Sequence, residues 1–254
     1  MSTLVIMEPV GELLRGWRRR RGISQLDLAI AADVSARHVS LVETGKSNPS
    51  AAMVLRLADQ LGVPLRDRNR LLLAAGFAPR YTERPLDDHA LSAARDAIRR
   101  VLQAHEPYPA LVFDRRWNIV MTNRAIEPFF AQVDPDLLRP PVNLLRLGLD
   151  PRGLARMVVN LADVRAMFRA RITRQLAAAP DPELAALYEE LLEDAPGKRI
   201  EADVLIPMIL RVDDRELRLF STITTFGTPV DITLDEVAIE QYYPADAESA
   251  AYFT

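Results

Sequence analysis

The stretch SQLDLAIAADVSARHVSLVET, residues 24–44, constrains the fold of this chain more than any other. It holds two short segments with apolar residues at helical spacing. Each begins at a serine, Ser24 or Ser35, which is a favoured N-cap residue. At about 100° per residue, Val39 and Val42 lie on one face of the second segment. The pattern predicts two short helices joined by a turn.

Three further positions predict how these helices meet. Ala29 stands where the two helices cross too closely for a larger side chain, and Val34 stands where an apolar residue locks the second helix onto the first. Asp33 occupies a turn position that glycine usually fills, and aspartate tolerates the left-handed conformation better than most residues. We therefore expect a helix-turn-helix.

Residues 10–76 as a whole predict a compact bundle of five short helices. One helix is expected in VGELLRGWRRRR, ahead of the helix-turn-helix, and two more after it. The starts and ends of these helices are marked by Gly22, Gly45, Pro49-Ser50, Pro64 and Gly76. This spacing predicts an all-α domain over residues 1–80.

The segment ISQLDLAIAADVSARHVSLVETGKSNPS resembles the helix-turn-helix of the Cro/phage-repressor-like (XRE) family. The shared features are the SQ-x-x-LA start, the VS caps and the E-x-G-x-x-x-P exit, in a resemblance that covers about 65 residues. It implies a lambda repressor-like fold and a double-stranded DNA operator as partner. The charge distribution agrees, because residues 1–80 hold 12 Lys and Arg against 7 Asp and Glu, whereas residues 81–254 hold 20 against 28.

The second helix of the motif is expected to present its exposed side to DNA. By resemblance, Ala36, Arg37 and Leu41 stand at the base-reading positions, and arginine pairs bidentately with guanine O6 and N7. Glu43 is expected to be structural, since the resemblance pairs it with Arg18. The full predicted DNA-binding set, which includes phosphate contacts, is Gln25, Ser35, Ala36, Arg37, Ser40, Leu41, Thr44, Lys46, Ser47 and Asn48.

The stretch SLVETGKS differs by one residue from the P-loop pattern G-x-x-x-x-G-K-[ST], because Ser40 replaces the first glycine. A P-loop follows a strand and precedes a helix, whereas here a helix is expected to come first and to end at Gly45. We therefore expect Lys46 to meet the phosphate backbone of DNA and not a nucleotide.

Composition excludes several classes of protein. The chain has no cysteine, which rules out disulfides, thiolate zinc sites and iron–sulfur clusters. No apolar run approaches the roughly 20 residues of a membrane span, and the start MSTLVIMEPV lacks the basic residues of a signal peptide. The motifs G-x-S-x-G and H-E-x-x-H are missing as well. We expect a cytoplasmic protein that is not an enzyme and has no metal site.

The two prolines and mixed charge of FAPRYTERPLDDHA, residues 77–90, predict a linker, and ALSAARDAIRRVLQAHE predicts an amphipathic helix after it. The expected domain bounds are 1–80, then 81–104 for linker and connecting helix, then 105–254.

Residues 105–254 predict an α+β domain with an antiparallel sheet of about five strands. Hairpins are expected at Arg115-Arg116, between PALVFD and WNIVMTN, and at Asp213-Asp214, between ADVLIPMILRV and ELRLFSTITTFG. EVAIEQYY is expected to be the final strand. Helices are expected over residues 152–178 and 181–194.

The segment PALVFDRRWNIVMTNRAIEPFF resembles the opening of a PAS-like sensor fold, with Asn123 at the strand-to-helix junction. Three further segments resemble the ligand-binding domain of MmyB-like transcription regulators: NLLRLGLDPRGLARMVVNLADVRAMFRARI, DPELAALYEELL and LRLFSTITTFGTPVDITLDEVAIEQYYPAD. The resemblance covers roughly residues 105–250 and allows a fatty-acid-like or other lipophilic ligand. Asp150 stands where the family leads us to expect a histidine.

The pocket of such a domain is expected between the inner face of the sheet and the inserted helices. Its candidate ligand contacts, each of which also suits an ordinary core position, are Phe113, Trp117, Asn123, Phe129, Phe130, Met157, Phe168, Met208 and Phe220. No cofactor is expected beyond such a ligand. Haem is disfavoured because His38, His89 and His105 all precede the first strand of this domain.

Together these patterns predict a homodimeric, sequence-specific DNA-binding regulator that responds to a small-molecule effector and has no membrane partner. In an alternative hypothesis the C-terminal domain is only a dimerisation or protein-interaction module without a ligand. An enclosed apolar cavity on the order of several hundred Å³ would favour the sensor, whereas a filled core would favour the module.

Overall fold

The computed structural model describes residues 8–192 and 207–253, which form two compact units. The first unit contains the chain up to Arg84 together with Pro229–Asp235, and the second contains Pro85–Thr228 and the chain from Glu236 onward. The predicted helix residues 193–194 and the predicted strand residues 202–206 lie outside the described residues.

The first unit contains the five predicted helices. They are α1 Val10–Arg20, α2 Gln25–Ala31, α3 Ala36–Glu43, α4 Ala51–Gln60 and α5 Leu65–Ala74. Ser24 and Asp27 form a complete capping box at α2, while Ser35 and Ser50 cap α3 and α4 through their hydroxyl oxygens. These bounds confirm the predicted all-α fold of the first domain.

The turn between α2 and α3 has the predicted backbone. Asp33 has φ 52°, in the left-handed region, and the amide of Val34 donates to the carbonyl of Ala29 over 2.9 Å. Ala29, Val39 and their neighbour Val42 are each 1% exposed. The turn therefore buries the side chains that hold the two helices together.

Gly11 permits a close approach of α1 and α3 that the sequence patterns did not indicate. A Cβ atom on Gly11 would lie 2.3 Å from the carbonyl oxygen of Val42 and 3.0 Å from that of Glu43. Only a glycine therefore lets α1 lie directly on the C-terminal turn of α3.

The second unit is built on a five-stranded antiparallel sheet, as predicted. Its strands are β1 Ala110–Phe113, β2 Ile119–Thr122, β3 Met208–Val212, β4 Arg215–Thr225 and β5 Ala238–Pro244, in the order β2-β1-β5-β4-β3. Asp213 has φ 52° in the predicted hairpin turn between β3 and β4. The first hairpin differs from expectation, since Trp117 has φ 68° and belongs to the turn.

The helices of the second unit are shorter than predicted in one place. They are α6 Ser92–Ala104, α7 Glu127–Phe130, α8 Leu144–Leu149, α9 Leu161–Ala178, α10 Pro182–Leu192 and α12 Ala247–Ala250, whereas α11 Ile232–Glu236 lies mostly within the first unit. The prediction of one helix over residues 152–178 was wrong at its start. Val158 forms a bridge with Leu210, and the Asn160 side chain bonds the backbone at Pro207 and Ile209, so this segment lies along β3.

The two faces of the sheet are covered differently. Ile98 and Leu102 of α6 pack on one face, against Val112 and Ile239 among others. The helices α7 to α10 cover the other face with a larger core cluster that includes Leu111 and Leu219. The second core encloses the cavity described below.

Candidate DNA-binding surface and ligand cavity

The structure places the predicted base-reading residues on the side of α3 that faces away from the core. Val39 and Val42 are buried, whereas Arg37 is exposed and Ala36 and Leu41 are half-buried. Within the described residues, Arg37 has no ion-pair or hydrogen-bond partner for its guanidinium. Its five N–H donors are therefore free to meet a base edge or a phosphate.

The start of α3 offers backbone donors beside this face. The hydroxyl oxygen of Ser35 accepts from the amide of His38 over 3.1 Å, which fixes the first turn. The amides of Ala36 and Arg37 are at the open N-terminus, where helical amides have no intrahelical acceptor. Such an N-terminus suits a DNA phosphate.

The end of α3 explains why GKS is not a phosphate loop. The amide of Gly45 donates to Val42 over 3.0 Å, and the amides of Lys46 and Ser47 donate to the carbonyl of Leu41 over 2.8 and 3.2 Å. Gly45 has φ 71°, as a helix-ending glycine does. The backbone donors that a P-loop would turn toward a nucleotide are therefore used inside the helix cap.

The remaining predicted DNA contacts lie around the same helix end. Thr44, Lys46 and Asn48 are exposed, while Ser40 and Ser47 are half-buried. The hydroxyl of Thr44 donates to the carbonyl of Ser40 over 2.8 Å, so its oxygen retains accepting capacity. The Lys46 ammonium has no partner among the residues described.

Glu43 holds α3 in place, as expected from its pairing with Arg18. Arg18 Nε and Nη2 donate to the two carboxylate oxygens over 2.6 and 2.8 Å, and Gln25 Nε2 donates over 2.7 Å. Burial by itself raises the pKa of Glu43, but hydrogen bonds from Arg18 and Gln25 and the charges of Arg18 and Arg15 outweigh it and lower the pKa. The side chain of Gln25 therefore already donates a hydrogen bond to Glu43, in addition to any contact that Gln25 makes with a DNA phosphate.

The arginines at the end of α1 are partly committed to the fold. Arg21 caps the end of α4, because its Nε and Nη2 donate to the carbonyls of Leu61 and Gly62 over 2.8 and 3.0 Å. The guanidinium of Arg20 lies 4.3 Å from the centre of the Trp17 ring. Arg19 is exposed, and its side chain has no hydrogen bond or ion pair within the described residues.

The second unit contains an apolar cavity between the sheet and the helices α7 to α9. Its volume is about 50 Å³. The residues that line it are Pro109, Ile126, Phe129, Leu144, Gly148, Leu154, Val158, Val164, Phe168, Met208, Leu210, Leu219 and Tyr242. Three of the predicted ligand contacts, Phe129, Phe168 and Met208, are thus brought together around one space.

The other predicted ligand contacts lie elsewhere. Phe113 stacks on Trp117 at 5.0 Å, and Trp117 Nε1 donates to Gln175 Oε1 over 3.0 Å. Phe130 and Met157 pack against the core without lining the cavity. These four residues therefore support the core around the cavity.

Asn123 and Phe220, the last two predicted ligand contacts, do not line the cavity. Asn123 Oδ1 accepts from the amide of Ala110 over 3.0 Å, and its Nδ2 donates to the carbonyl of Tyr108 over 2.8 Å, so it ties β1 to the end of β2. Phe220 stacks on Tyr243 at 5.3 Å on the opposite face of the sheet. The alternation of side chains along β4 could have indicated this position. Leu219 faces the core that encloses the cavity, so its neighbour Phe220 must face the other side of the sheet.

Tyr242 is one of ten lining residues that the sequence patterns did not single out, and the one whose side chain carries a hydroxyl. Its strand neighbour on the same face, Glu240, is charged and 1% exposed, so alternation of apolar residues did not indicate that this face is internal. Arg171 Nη1 pairs with Glu240 Oε1 at 2.9 Å, and the Ser221 hydroxyl donates to the same oxygen over 2.7 Å. The buried charge is therefore compensated beside the cavity.

The described residues contain no cluster of His, Asp and Glu that could hold a metal ion. Asp150, which stands where the family resemblance leads us to expect a histidine, pairs with its neighbour Arg152 at 3.1 Å. Across the described chain, no helix is both long enough and apolar enough to cross a membrane.

Comparison with known proteins identified two family models in this chain. The model described as "MmyB-like transcription regulator ligand binding domain" matches residues 94–254, and the model described as "Helix-turn-helix domain" matches residues 9–71. No curated protein matches.

Among solved structures, a chain titled "Structure of an RNA-binding Light-Oxygen-Voltage Receptor" has 11% sequence identity and a TM-score of 0.27. The match covers 96% of this chain and 61% of that chain. A similarity this low carries no argument about function.

Proposed function

Since the chain belongs to the family of MmyB-like transcription regulator ligand binding domains and also carries a helix-turn-helix domain, we propose how this DNA-binding regulator recognises its operator. Arg37 pairs with a guanine in the major groove, while Ala36 and Leu41 pack on neighbouring bases. Ser35, Lys46, Ser47 and Asn48 meet the flanking phosphates together with the remaining predicted contacts.

The observation that carries this proposal is that α3 presents an unpaired arginine to solvent while its own position is fixed by a buried ion pair. Arg37 is exposed and unpaired among the described residues, whereas Glu43 on the same helix is buried and held by Arg18 and Gln25. Side chains that read bases must be presented by a rigid element. The Arg18–Glu43 pair provides that rigidity.

Arg37→Ala tests this assignment directly. Selection from random duplex DNA identifies the preferred site, and we expect Arg37→Ala to lose roughly 1–3 kcal/mol on that site and to relax preference at one base pair. Arg19→Ala, which removes an exposed arginine from α1, is the matched control and keeps the preference. An equal loss on every sequence would reduce Arg37 to a phosphate contact.

We further propose that the regulator acts as a homodimer in the cytoplasm. One recognition helix covers one half-site, and paired helices contact half-sites about 34–36 Å apart. A small lipophilic ligand in the cavity would change the relative placement of the two helix-turn-helix domains. The ligand shifts DNA affinity only by its difference in affinity for the two arrangements.

The cavity of about 50 Å³ limits the form that such a ligand can take. It is far below the several hundred Å³ on the order of which drug-sized pockets are built, so a fatty acid requires the helices over the sheet to move. The same observation favours the second candidate, in which this domain is an interaction module. Native mass spectrometry of the purified protein separates the two, because a sensor retains a ligand or binds one that is added, and a module does neither while still forming the dimer.

A further inference from the structure

The connection between β4 and β5 is shared by the two units. The chain leaves the second unit after Thr228, contributes Pro229–Asp235 to the first unit and returns to the second at Glu236. The boundary therefore falls inside the short helix α11. Because the Cα atoms of Asp235 and Glu236 are about 3.8 Å apart across one peptide bond, neither residue can move far without the other.

Hydrogen bonds hold α11 within the first unit. Asp231 is 2% exposed, and its carboxylate accepts from the Thr82 hydroxyl over 3.0 Å. The amide of Ile232 donates to the carbonyl of Thr82 over 2.8 Å. Asp235 Oδ2 accepts from the amide of Leu65, the first residue of α5, over 2.9 Å. The position of α11 therefore decides whether the start of α5 is capped.

The end of α11 is held within the second unit. Glu236 Oε2 lies 3.6 Å from Arg115 Nε, in the turn between β1 and β2. The next residue, Val237, is 3% exposed and packs with Ile98 and Ile239 in the core between α6 and the sheet. Both ends of this helix are thus anchored, each in a different unit.

Arg115 also holds the start of α10. Its Nη1 is 3.2 Å from Asp181 Oδ2, while Asp181 Oδ1 accepts from the amides of Glu183 and Leu184 over 3.0 and 3.4 Å and so caps that helix. Leu184 belongs to the core cluster that encloses the cavity. The Asp181 and Glu236 side chains are 5% and 14% exposed, so solvent screens these pairs less than it screens surface ion pairs.

We propose that Arg115 and α11 relay a displacement of α10 to the DNA-binding unit. The cavity of about 50 Å³ admits a larger ligand only if the helices over the sheet move, and Asp181 moves with α10. Arg115 cannot follow Asp181 and keep Glu236 at 3.6 Å. The end of α11 is then released, and the Asp235 cap on α5 weakens. This inference rests on the proposed sensor function and names the route of its regulation.

Arg115→Ala tests the relay by hydrogen exchange at single amides of the full-length protein, followed by NMR. We expect the Leu65 amide to exchange about twofold to thirtyfold faster than in wild type, the range for substitutions that alter coupling between sites. The Leu57 amide in α4, a residue that is 1% exposed, is the internal reference and keeps its rate. Arg115→Lys keeps the charge and should restore most of the protection. Equal acceleration of both amides would mean a general loss of stability and would overturn the relay.

Arg116→Ala is the matched control from the same turn. Arg116 pairs with the same Asp181, at 3.1 Å, and with Glu183, but among the described residues it forms no ion pair with Glu236. The variant should accelerate the Leu184 amide and leave the Leu65 amide unchanged. If it accelerates Leu65 as much as Arg115→Ala does, the route does not pass through Glu236 and the relay is wrong. If Arg115→Ala fails to fold, Glu236→Gln, which keeps the size of the side chain, decides in the same way.

A double variant shows whether the effect travels through the cap. Asp235→Ala by itself removes the acceptor of the Leu65 amide. Adding Arg115→Ala should then accelerate Leu65 no further, because substitutions that act through one contact are not additive. Additive acceleration would place the effect of Arg115 outside α11 and would contradict the proposal.

Laurate, a fatty acid, separates this inference from the proposed sensor function. Its binding is measured by native mass spectrometry, and when bound it should accelerate the Leu65 amide in wild type and not in Arg115→Ala. If laurate binds and the Leu65 amide does not respond, the relay is wrong and the sensor function stands. If the variants behave as expected but the protein neither binds laurate nor retains a co-purified ligand, the sensor function is overturned and the relay remains as a mechanical connection.

Discussion

Glu43 is 3% exposed and yet carries a charge, which is expensive for an isolated carboxylate inside a protein. Two hydrogen bonds from Arg18 and one from Gln25 compensate the cost. The Arg18 side chain is itself 12% exposed, so the pair is shielded from solvent and salt. At the scale of single residues, this carboxylate joins α1, α2 and α3.

The lowered pKa of Glu43 makes the stability of the protein depend on pH in a defined direction. Its pKa in the folded state lies below the ordinary value of 4.5. The stabilisation is therefore complete above that pH and is lost as the pH falls through the lower, folded-state value. In urea titrations between ~pH 5 and ~pH 3, we expect Glu43→Gln to lose less stability on acidification than wild type.

Glu190→Gln is the matched control for the pH experiment. The pKa of Glu190 is also lowered, first by its hydrogen bond from Arg146, but the two side chains are 50% and 44% exposed. Solvent screening makes exposed ion pairs weak. A pH profile for Glu190→Gln that is flattened as much as that of Glu43→Gln would contradict the special role of the buried pair.

At the scale of helices, the recognition helix is positioned by a contact of backbone with backbone. Gly11 of α1 lies against the carbonyls of Val42 and Glu43 in α3, at a distance that admits no side chain. Because a backbone carbonyl cannot swing aside as a flexible side chain can, a Cβ atom there has to separate the two helices. The placement of α3 thus depends on a residue 25 or more positions away from its base-reading face.

We expect Gly11→Ala to destabilise the protein and to weaken DNA binding, because the Cβ would overlap Val42 at 2.3 Å. Overpacking of this kind costs about 1–3 kcal/mol. Gly16→Ala in the same helix is the control, since its Cβ would lie 3.6 Å from a flexible Arg20 Nη1, and it should stabilise by about 0.5–1 kcal/mol. Thermal unfolding measures both, and similar effects of the two substitutions would be inconsistent with a tight contact at Gly11.

The start of α5 is capped by a residue distant in sequence. Pro64 provides no side-chain cap, and Asp235 Oδ2 instead accepts from the amide of Leu65 over 2.9 Å. Asp231 bonds the Thr82 hydroxyl at 3.0 Å and pairs with Arg84 at 2.9 Å. Residues 229–235 are therefore an integral part of the unit that contains the helix-turn-helix.

Asp235→Ala should lower the free energy of unfolding by about 0.5–2 kcal/mol, the range for losing a helix cap. Asp214→Ala, in the exposed hairpin turn between β3 and β4, is expected to change stability by less than about 0.5 kcal/mol. Urea unfolding distinguishes the variants. Equal stability of Asp235→Ala and wild type would show that the cap is replaced by water without loss.

At the scale of the whole molecule, the number of helix-turn-helix domains on one operator sets the dependence of affinity on salt. Each phosphate contact contributes about 0.9 to the slope of log K against log salt. In a dimer, Lys46→Ala removes one contact from each protomer, so we expect the slope to fall by about 1.8. A fall of about 0.9 would instead indicate a single bound domain.

Arg139→Ala controls for a general change in charge, because Arg139 lies in the second unit and is 80% exposed. Its substitution should leave the slope unchanged. Titrations of labelled operator DNA over a series of salt concentrations measure both variants on the same site.

Local features were predictable from the sequence because their causes lie within a few residues. The serine caps of α2, α3 and α4, the positive φ of Asp33 and the glycine end of α3 each depend on a side chain and the adjacent turn. The pairing of Arg18 with Glu43 was reached only by resemblance to a family, since 25 residues separate the partners.

The candidate ligand contacts show what could not be predicted from the sequence. Phe129, Phe168 and Met208 were placed at the cavity, whereas Phe220 faces the opposite side of the sheet. Residue type indicated that these side chains are internal but not which of the two cores each one enters. Tyr242 escaped notice because the charged Glu240 shares its face.

The sequence by itself determined the five-helix bundle, the helix-turn-helix, the antiparallel sheet and the family, because periodicity, caps and turns are local properties of a chain. Only the tertiary structure decided that Val158 and Asn160 lie against β3, that Gly11 admits α3, and which side chains line the apolar cavity. Each of these depends on a contact between residues far apart in the chain. No local pattern records such a contact, because either partner would look the same without the other.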